Sequence, residues 1–414
     1  MFDIESFKEH LAELLAIKSE NGTKGVTKAI KYMLETGNSM GFVTKDLDGI
    51  AGYIEMGDDD LEKTLGIVVH VDTVGVDDNW TSDPFIMAER DGNLYARGII
   101  DDKGPALLIL YVMNELAKLE AIGVKPDMKI RLIIGGDEES GNNLCMTRYK
   151  LTEKEPDMSF SPDANFPVVY GEKGILRIKI FSEKGIDGFT MQGGDRINVV
   201  PSFAKATVNG KEYTANGEAA HASTPELGDN AILKLGKMLQ IEKVDNNLVK
   251  LLNICDVNGL NIALKDSEST LTINPATIKA DENGIVLMCD IRYNIFADVN
   301  DILQRIKNAV SPFGFDASVE MDLPPLYVDK NSDFIKKLSN AYSYVTGDMT
   351  KPMVIGGGTY AREFKNCVAF GPEFPNEDNV CHMPDEYWSI TRIKQCFSIY
   401  FEAIKSIAFD NNDK

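Results

Sequence analysis

Most of the chemistry open to this sequence rests on a few imidazoles and carboxylates. Its 414 residues include only four histidines, His10, His70, His221 and His382, so the setting of each is informative. His70-Val71-Asp72 sets a carboxylate two residues after an imidazole. A metal-ligating imidazole commonly gives its other ring N–H to a carboxylate, which sets tautomer and orientation, and Asp72 suits that part. Asp101, Glu139, Asp163 and His382 complete a set of two imidazoles and three carboxylates. If one carboxylate is shared, each of two divalent metals receives a histidine, a terminal carboxylate and the bridge, with positions open for water and substrate. In Glu138-Glu139, one carboxylate as ligand and one left beside an activated water would join nucleophile generation to proton transfer onto a leaving amine. Singly, each feature has a structural explanation: His-x-Asp as core packing, Glu-Glu as a solvated surface, Asp101-Asp102 as a helix cap. Together, at successive strand ends, they favour a hydrolytic metal centre.

Those strand ends follow from the pattern of the chain. Residues 65–69 form a continuous apolar run ending at His70, the mark of a strand buried on both faces of a parallel sheet. Residues 130–134 repeat it and lead into Gly135-Gly136-Asp137-Glu138-Glu139, and Met158-Ser159-Phe160 leads to Ser161-Pro162-Asp163. Between the first two runs, Asp101-Asp102-Lys103-Gly104-Pro105 opens a long helix over 106–120, with Pro105 in its first turn and acids at its positive end. Helical spacing is also read at 5–18, which carries a solvated His10, and at 25–41, 229–240, 332–345 and 390–407. Residues 42–56 read as a hairpin around Asp48-Gly49. From about Leu176 the texture becomes antiparallel, with strands at 176–182, 203–213 and 285–293. The reading is an α/β, mostly parallel-sheet catalytic domain (1–175 and 327–414) interrupted by an inserted α+β domain (176–326). Ligands in such sheets bind beyond the carboxyl ends of the strands, where these polar clusters fall.

The net charge of −21 disfavours nucleic acid and anionic membrane as partners. Six cysteines without a C-x-x-C pair fit a reducing compartment, and the start lacks the features of a signal peptide, so the expected location is cytoplasmic.

The segments Gly66 to Asp72, Arg97 to Gly104 and Gly136 to Gly141 together resemble the dinuclear zinc exopeptidases of carboxypeptidase G, aminoacylase and desuccinylase type. Trp80 with Asp83-Pro84-Phe85, Ser161 to Ala164, Gly171 to Gly174 and Gly357 to Arg362 are similar to the PepV-type bacterial dipeptidases. The resemblance spans nearly the whole chain. It implies a metal-dependent dipeptidase acting on short unblocked peptides. The alternatives are an N-acyl-amino-acid deacylase or desuccinylase on the same scaffold, and a non-catalytic metal-binding relative. It implies His70 and Asp163 on one metal, Glu139 and His382 on the other, Asp101 bridging, Glu138 as general acid/base and Asp72 supporting His70. It also implies a cis Asp101–Asp102 peptide. The inserted domain resembles a lid in which His221 stabilises the oxyanion, while Asn198, Arg292 and the loop Gly357-Gly358-Thr359 hold substrate; an Arg fork suits a terminal carboxylate. Two divalent ions are expected, zinc first, with manganese or cobalt as alternatives. A monomer is favoured, with dimerisation through the lid as the other possibility. Cys381, next to His382, is a thiol beside the expected metal centre.

Overall fold

In the computed structural model of the chain, residues 2–120, 122–255, 260 and 264–409 are described. The chain divides into two compact units. The first comprises Met1–Tyr170, Val328–Met353 and Thr359–Lys414; the second comprises Gly171–Tyr327 and Val354–Gly358. The second unit thus starts five residues before the expected boundary at 176 and takes in the short 354–358 loop, which the apolar pattern gave no reason to separate from its neighbours.

The first unit is built on one sheet. Its strands are β1 (Val43–Leu47), β2 (Ala51–Met56), β3 (Thr64–His70), β4 (Lys129–Gly135), β5 (Met158–Ser161), β6 (Val169–Glu172) and β7 (Cys367–Ala369), in the order β1-β2-β4-β3-β5-β7-β6. The centre, β4-β3-β5-β7, is parallel, and the strands on either side of it pair antiparallel. The sheet is therefore mixed, with its parallel part where the continuous apolar runs lie: Leu65, Ile67, Val68 and Val69 of β3 are all 0% exposed. The β1–β2 connection takes left-handed backbone at Asp48 and Gly49, which Asp tolerates and Gly adopts without cost.

Six helices accompany the sheet: α1 (Ile4–Ala16), α2 (Lys24–Ser39), α3 (Lys103–Glu120), α4 (Leu144–Thr152), α5 (Asp333–Thr346) and α6 (Ile390–Ala408). Asp3 and Thr23 cap the first two by accepting from Ser6 N and Gly25 N. In α3 every residue from Lys103 to Met113 is buried, so it packs all round rather than on one stripe. It starts three residues earlier than the apolar spacing suggests, because Lys103 is buried too and donates from Nζ to the carbonyl of Ile17 at 2.7 Å.

The second unit is a seven-stranded sheet with every neighbour antiparallel, in the order Lys211–Asn216, Phe203–Val208, Phe189–Gly193, Thr272–Asp281, Gly284–Tyr293, Gly174–Ser182, Asp316–Leu323. Residues 203–213, read as one strand, are a hairpin of two. Pro275 lies where the Thr272–Asp281 ladder shifts register, a place where a strand tolerates a missing N–H. Helices Ala231–Ile241 and Val299–Val310 pack on the sheet, and Asn247–Ile254 packs on the first of these; Ile302, Ile306 and Val310, four apart, supply one stripe of that core beside Leu176, Ile178 and Ile180. No helix among the described residues is long and apolar enough to cross a membrane, and none of the six cysteines forms a disulfide.

Candidate active site

The first unit brings six chemical side chains together at the carboxyl ends of its parallel strands. His70 is the last residue of β3; Glu138 and Glu139 follow β4; Asp163 follows β5; Asp101 precedes α3; His382 lies in the loop before α6. Among the described residues, two groups have ligand atoms within 4.8 Å of one another: His70, Glu138 and Asp163, and Asp101, Glu139 and His382. Asp101 faces both imidazoles. Its Oδ1 is 3.1 Å from His70 Nε2 and its Oδ2 is 3.0 Å from His382 Nε2. His382 Nε2 also lies 3.1 Å from Glu139 Oε2, and His70 Nε2 lies 3.7 Å from Asp163 Oδ2.

This donor set fits a pair of divalent cations. His70 Nε2 is buried and makes no aligned hydrogen bond, despite the carboxylates around it. Crowded carboxylates repel one another, and a cation between them removes that cost. Without one, protons fill the gap. Burial opposes a charge on His70, but the carboxylates of Asp101, Asp163 and Asp72 around the ring hold its pKa well above the usual value. Hydrogen bonds to Asp101 and Glu139 push His382 up to about 10. Burial raises Glu138 well above the carboxylate range, aided by the charge of Asp163. Burial likewise lifts Asp163 to about 6 against the pull of His70.

Asp72 does more than support an imidazole. His70 Nδ1 faces both its carbonyl oxygen, at 3.1 Å, and its Oδ1, at 3.4 Å. Oδ1 also accepts from Glu138 N (3.3 Å), while Oδ2 accepts from Glu139 N (3.1 Å) and Asn21 Nδ2 (2.9 Å). One buried carboxylate therefore holds the imidazole on β3 and the backbone of the Glu138-Glu139 turn after β4. Asp137 anchors that turn from the other side, accepting from the amides of Leu144 and Cys145 at the start of α4. Asp102 is not a plain helix cap: its buried Oδ2 accepts from His70 N at 3.1 Å. The Asp101–Asp102 peptide is cis. Cys381 donates its thiol to Glu373 Oε1 at 3.1 Å, and burial pushes its pKa far up, so the group is a thiol and not a thiolate.

In the second unit, the segments carrying Asn198 and His221 run antiparallel, with Ala222 N donating to the carbonyl of Asn198 (2.9 Å) and Val200 N to that of Ala220 (2.8 Å). Both side chains are exposed. His221 Nδ1 accepts from Ser223 N at 3.2 Å, so a neutral ring carries its proton on Nε2 and presents that atom as a donor. Arg292 is not the surface charge that a strand position suggests. It is 3% exposed, its Nε and Nη2 meet the carboxylate of Asp290 at 2.7 and 3.4 Å, and Nη1 donates to Gly356 O at 2.7 Å. In the Gly356-Gly357-Gly358 loop, Gly356 is the crowded member: a Cβ there would lie 2.9 Å from Ser223 Cβ, whereas at Gly357 it would meet only Ile355 at 3.7 Å. Thr359 belongs to the first unit and accepts from Ala361 N at 3.1 Å, capping a short 3₁₀ turn.

The sequence profile of peptidase family M20/M25/M40 matches residues 66–406, most of the chain and every strand-end ligand candidate. The chain belongs to this family. A Staphylococcus aureus (strain USA300) protein, provisionally named a dipeptidase, is 35% identical over 434 aligned positions that cover 93% of this chain and 91% of that protein. Among solved structures, the fold is similar to aminoacylhistidine dipeptidase from Vibrio alginolyticus (TM-score 0.65, 16% identity, 97% of this chain and 96% of that one). It is also similar to human carnosine dipeptidase 1 (TM-score 0.56, 16% identity, 97% and 96%). At these identities the likeness is one of fold. For this family member, the residues that sequence reasoning passed over are those that brace the site: Asn21, whose side chain donates to the Asp72 carboxylate, and Arg97 and Glu386, which bond the backbone of the loops that carry His382 and Asp101. Arg97 lies inside the Arg97–Gly104 segment that carries the family resemblance, the one signal in the sequence that points to it.

Proposed function

We propose that this chain is a metal-dependent dipeptidase hydrolysing the peptide bond of short unblocked peptides. The observation carrying the proposal is Asp101 facing two imidazoles at 3.1 and 3.0 Å, with Glu138 and Glu139 alongside. His70 and Asp163 would hold one divalent ion and Glu139 and His382 the other, with Asp101 shared. Bound there, the ions supply Lewis acidity, polarising a scissile carbonyl and lowering the pKa of water. Glu138 takes the proton of the attacking water and delivers it to the leaving amine. Its grouping with His70 and Asp163 suits that role, since a proton acceptor must sit within reach of the water. His221, as an Nε2–H donor, stabilises the oxyanion. Asn198 and the Gly357-Gly358-Thr359 loop contact substrate in this reading. Arg292 would bind the terminal carboxylate through the one N–H on each of Nη1 and Nη2 that Asp290 and Gly356 leave over.

Two imidazoles and three carboxylates suit zinc, with manganese and cobalt next. The acidic charge supports a small-peptide substrate rather than nucleic acid or membrane, and we favour a cytoplasmic monomer, with the second unit acting as the lid. The test is one amino-acid pair offered as free dipeptide, tetrapeptide, dipeptide amide and N-acetyl or N-succinyl amino acid, to protein reconstituted with zinc, manganese or cobalt. The free dipeptide should be turned over best. A faster rate on the N-acylated amino acid would replace the dipeptidase with the deacylase, and two bound ions without turnover of any substrate would leave a non-catalytic metal protein.

A further inference from the structure

Around the metal-ligand candidates lies a buried ion pair that joins two segments far apart in sequence. Glu386 is 0% exposed and Arg97 is 3% exposed. Glu386 Oε2 accepts from Arg97 Nη1 at 2.7 Å and from Gly98 N at 3.0 Å, and its Oε1 accepts from Ile100 N at 3.0 Å. The carboxylate thus gathers the backbone of the loop that ends at Asp101. The other arm of Arg97 reaches on: Nη2 donates to the carbonyl of His382 at 3.2 Å. Trp80 covers the guanidinium, whose carbon is 5.1 Å from the indole centroid. Gly98 has φ +82°, and a Cβ there would lie 2.9 Å from Thr73 Cγ2, so this loop is closely fitted.

The two halves of the candidate centre depend unequally on this arrangement. His70 is in the β3–β4 ladder, paired with Gly135, and its N–H is bound by Asp102. Asp163 follows β5 directly. Asp101 has a second anchor, since the carbonyl of the next residue accepts from Ala106 N as α3 begins. His382 has no ladder or helix around it; its backbone is left-handed at φ +65° and its side chain is 55% exposed. A non-glycine residue holds that conformation only where its surroundings impose it. Among the described residues, the Arg97 contact is the polar tie to the His382 backbone itself.

We propose that Arg97 and Glu386 form a positioning clamp that selectively sets the affinity of the metal position built by Asp101, Glu139 and His382, leaving the His70–Asp163 position largely to the strands. This rests on the two-metal reading above, but its test does not read peptide hydrolysis. Arg97→Met, Arg97→Lys and the wild-type protein are stripped of metal and equilibrated at graded free zinc set by a chelator. Bound zinc per chain is then measured by elemental analysis, with a circular-dichroism melt of each metal-free protein. Wild type should bind two ions. Arg97→Lys keeps a cation against Glu386 but lacks a planar fork to reach the His382 carbonyl as well. It should keep its fold and hold one ion normally while the other weakens about 10- to 100-fold, the usual cost of losing an outer-shell partner. Arg97→Met should weaken that second ion at least as much, and higher free zinc should restore two ions per chain in both variants. Equal weakening of both ions, or two ions held as in wild type by folded Arg97→Lys, would overturn the clamp. A wild-type protein that binds no zinc would overturn the metal reading itself, an outcome distinct from either.

Discussion

Replacing Asp72 with Asn changes almost nothing in volume and removes the charge to which four N–H donors are fitted. The amide keeps one oxygen. If that oxygen takes the Oδ1 place, Glu139 N and Asn21 lose their acceptor; if it takes the Oδ2 place, Glu138 N loses its own and an NH₂ faces His70. Either way one or two hydrogen bonds to a charged group are lost, at about 1.5–3 kcal/mol each, and a backbone N–H is left without its partner. We therefore expect Asp72→Asn to destabilise the metal-free protein by about 2–5 kcal/mol. At about 2–4 °C per kcal/mol for a unit of this size, the melting temperature should fall by about 4–20 °C. Zinc affinity at the His70 position should fall about 10- to 100-fold, because the imidazole loses its orienting partner. Burial works against the Asp72 charge, but the His70 hydrogen bond and charge and the Asn21 donor outweigh it and keep its pKa below the usual value. A lowered folded-state pKa means stability that is complete above about pH 4 and is lost as pH falls through the folded value, so the gap between wild type and Asn should close in acid. Asn21→Ala, which removes one donor and leaves the carboxylate, should cost only about 1 kcal/mol. The measurements are calorimetric melts of metal-free protein from pH 3 to 8 and zinc competition with a chelator. An Asp72→Asn protein with wild-type melting temperature and zinc affinity at pH 7 would refute the reasoning.

Glu138→Gln should keep both metals by elemental analysis while kcat falls about 10²- to 10⁴-fold, the contribution of a positioned proton-transfer group; loss of a metal in that variant, with Glu139→Gln retaining two, would reverse the two roles. His221→Ala should leave metal content and melting unchanged and lower kcat about 10²-fold or more, as for a lost oxyanion donor, so near-normal turnover would remove His221 from the mechanism. Hydrogen bonds to Asp101 and Glu139 raise His382 to about 10, and His70 is shifted in the same direction, so both rings bind protons more readily in the metal-free protein than a free imidazole does. Zinc binding should release protons, visible in calorimetry as a buffer-dependent enthalpy, and affinity should strengthen as pH rises toward 10. The same raised values mean that the stabilisation they give metal-free protein is complete below about pH 6.5 and is lost as pH climbs through the folded values, so its melting temperature should drop from pH 7 to 10.

Local pattern carried far in this chain. A continuous apolar run needs both faces of a strand covered, so 65–69 and 130–134 could be placed in a parallel sheet and the polar residues after them at its carboxyl end. Helical spacing located α1, α2, α5 and α6 to within a few residues, because each buries one stripe. It was not read at Asn247–Ile254, which at eight residues is too short to show a clear stripe, nor at Val299–Val310, although Ile302, Ile306 and Val310 recur there at helical spacing. Residue type and order also sufficed to name His70, Asp101, Glu138, Glu139, Asp163 and His382 as one set. What they could not supply was the partner of each. That Asp72 holds the Glu138-Glu139 turn, that Asp290 meets the fork of Arg292, and that Glu386 reaches the loop before Asp101 across 288 residues of chain are facts of packing. A carboxylate accepting backbone N–H groups has no period and no required spacing in the sequence. It is selected only when the fold buries it beside donors that would otherwise go unsatisfied.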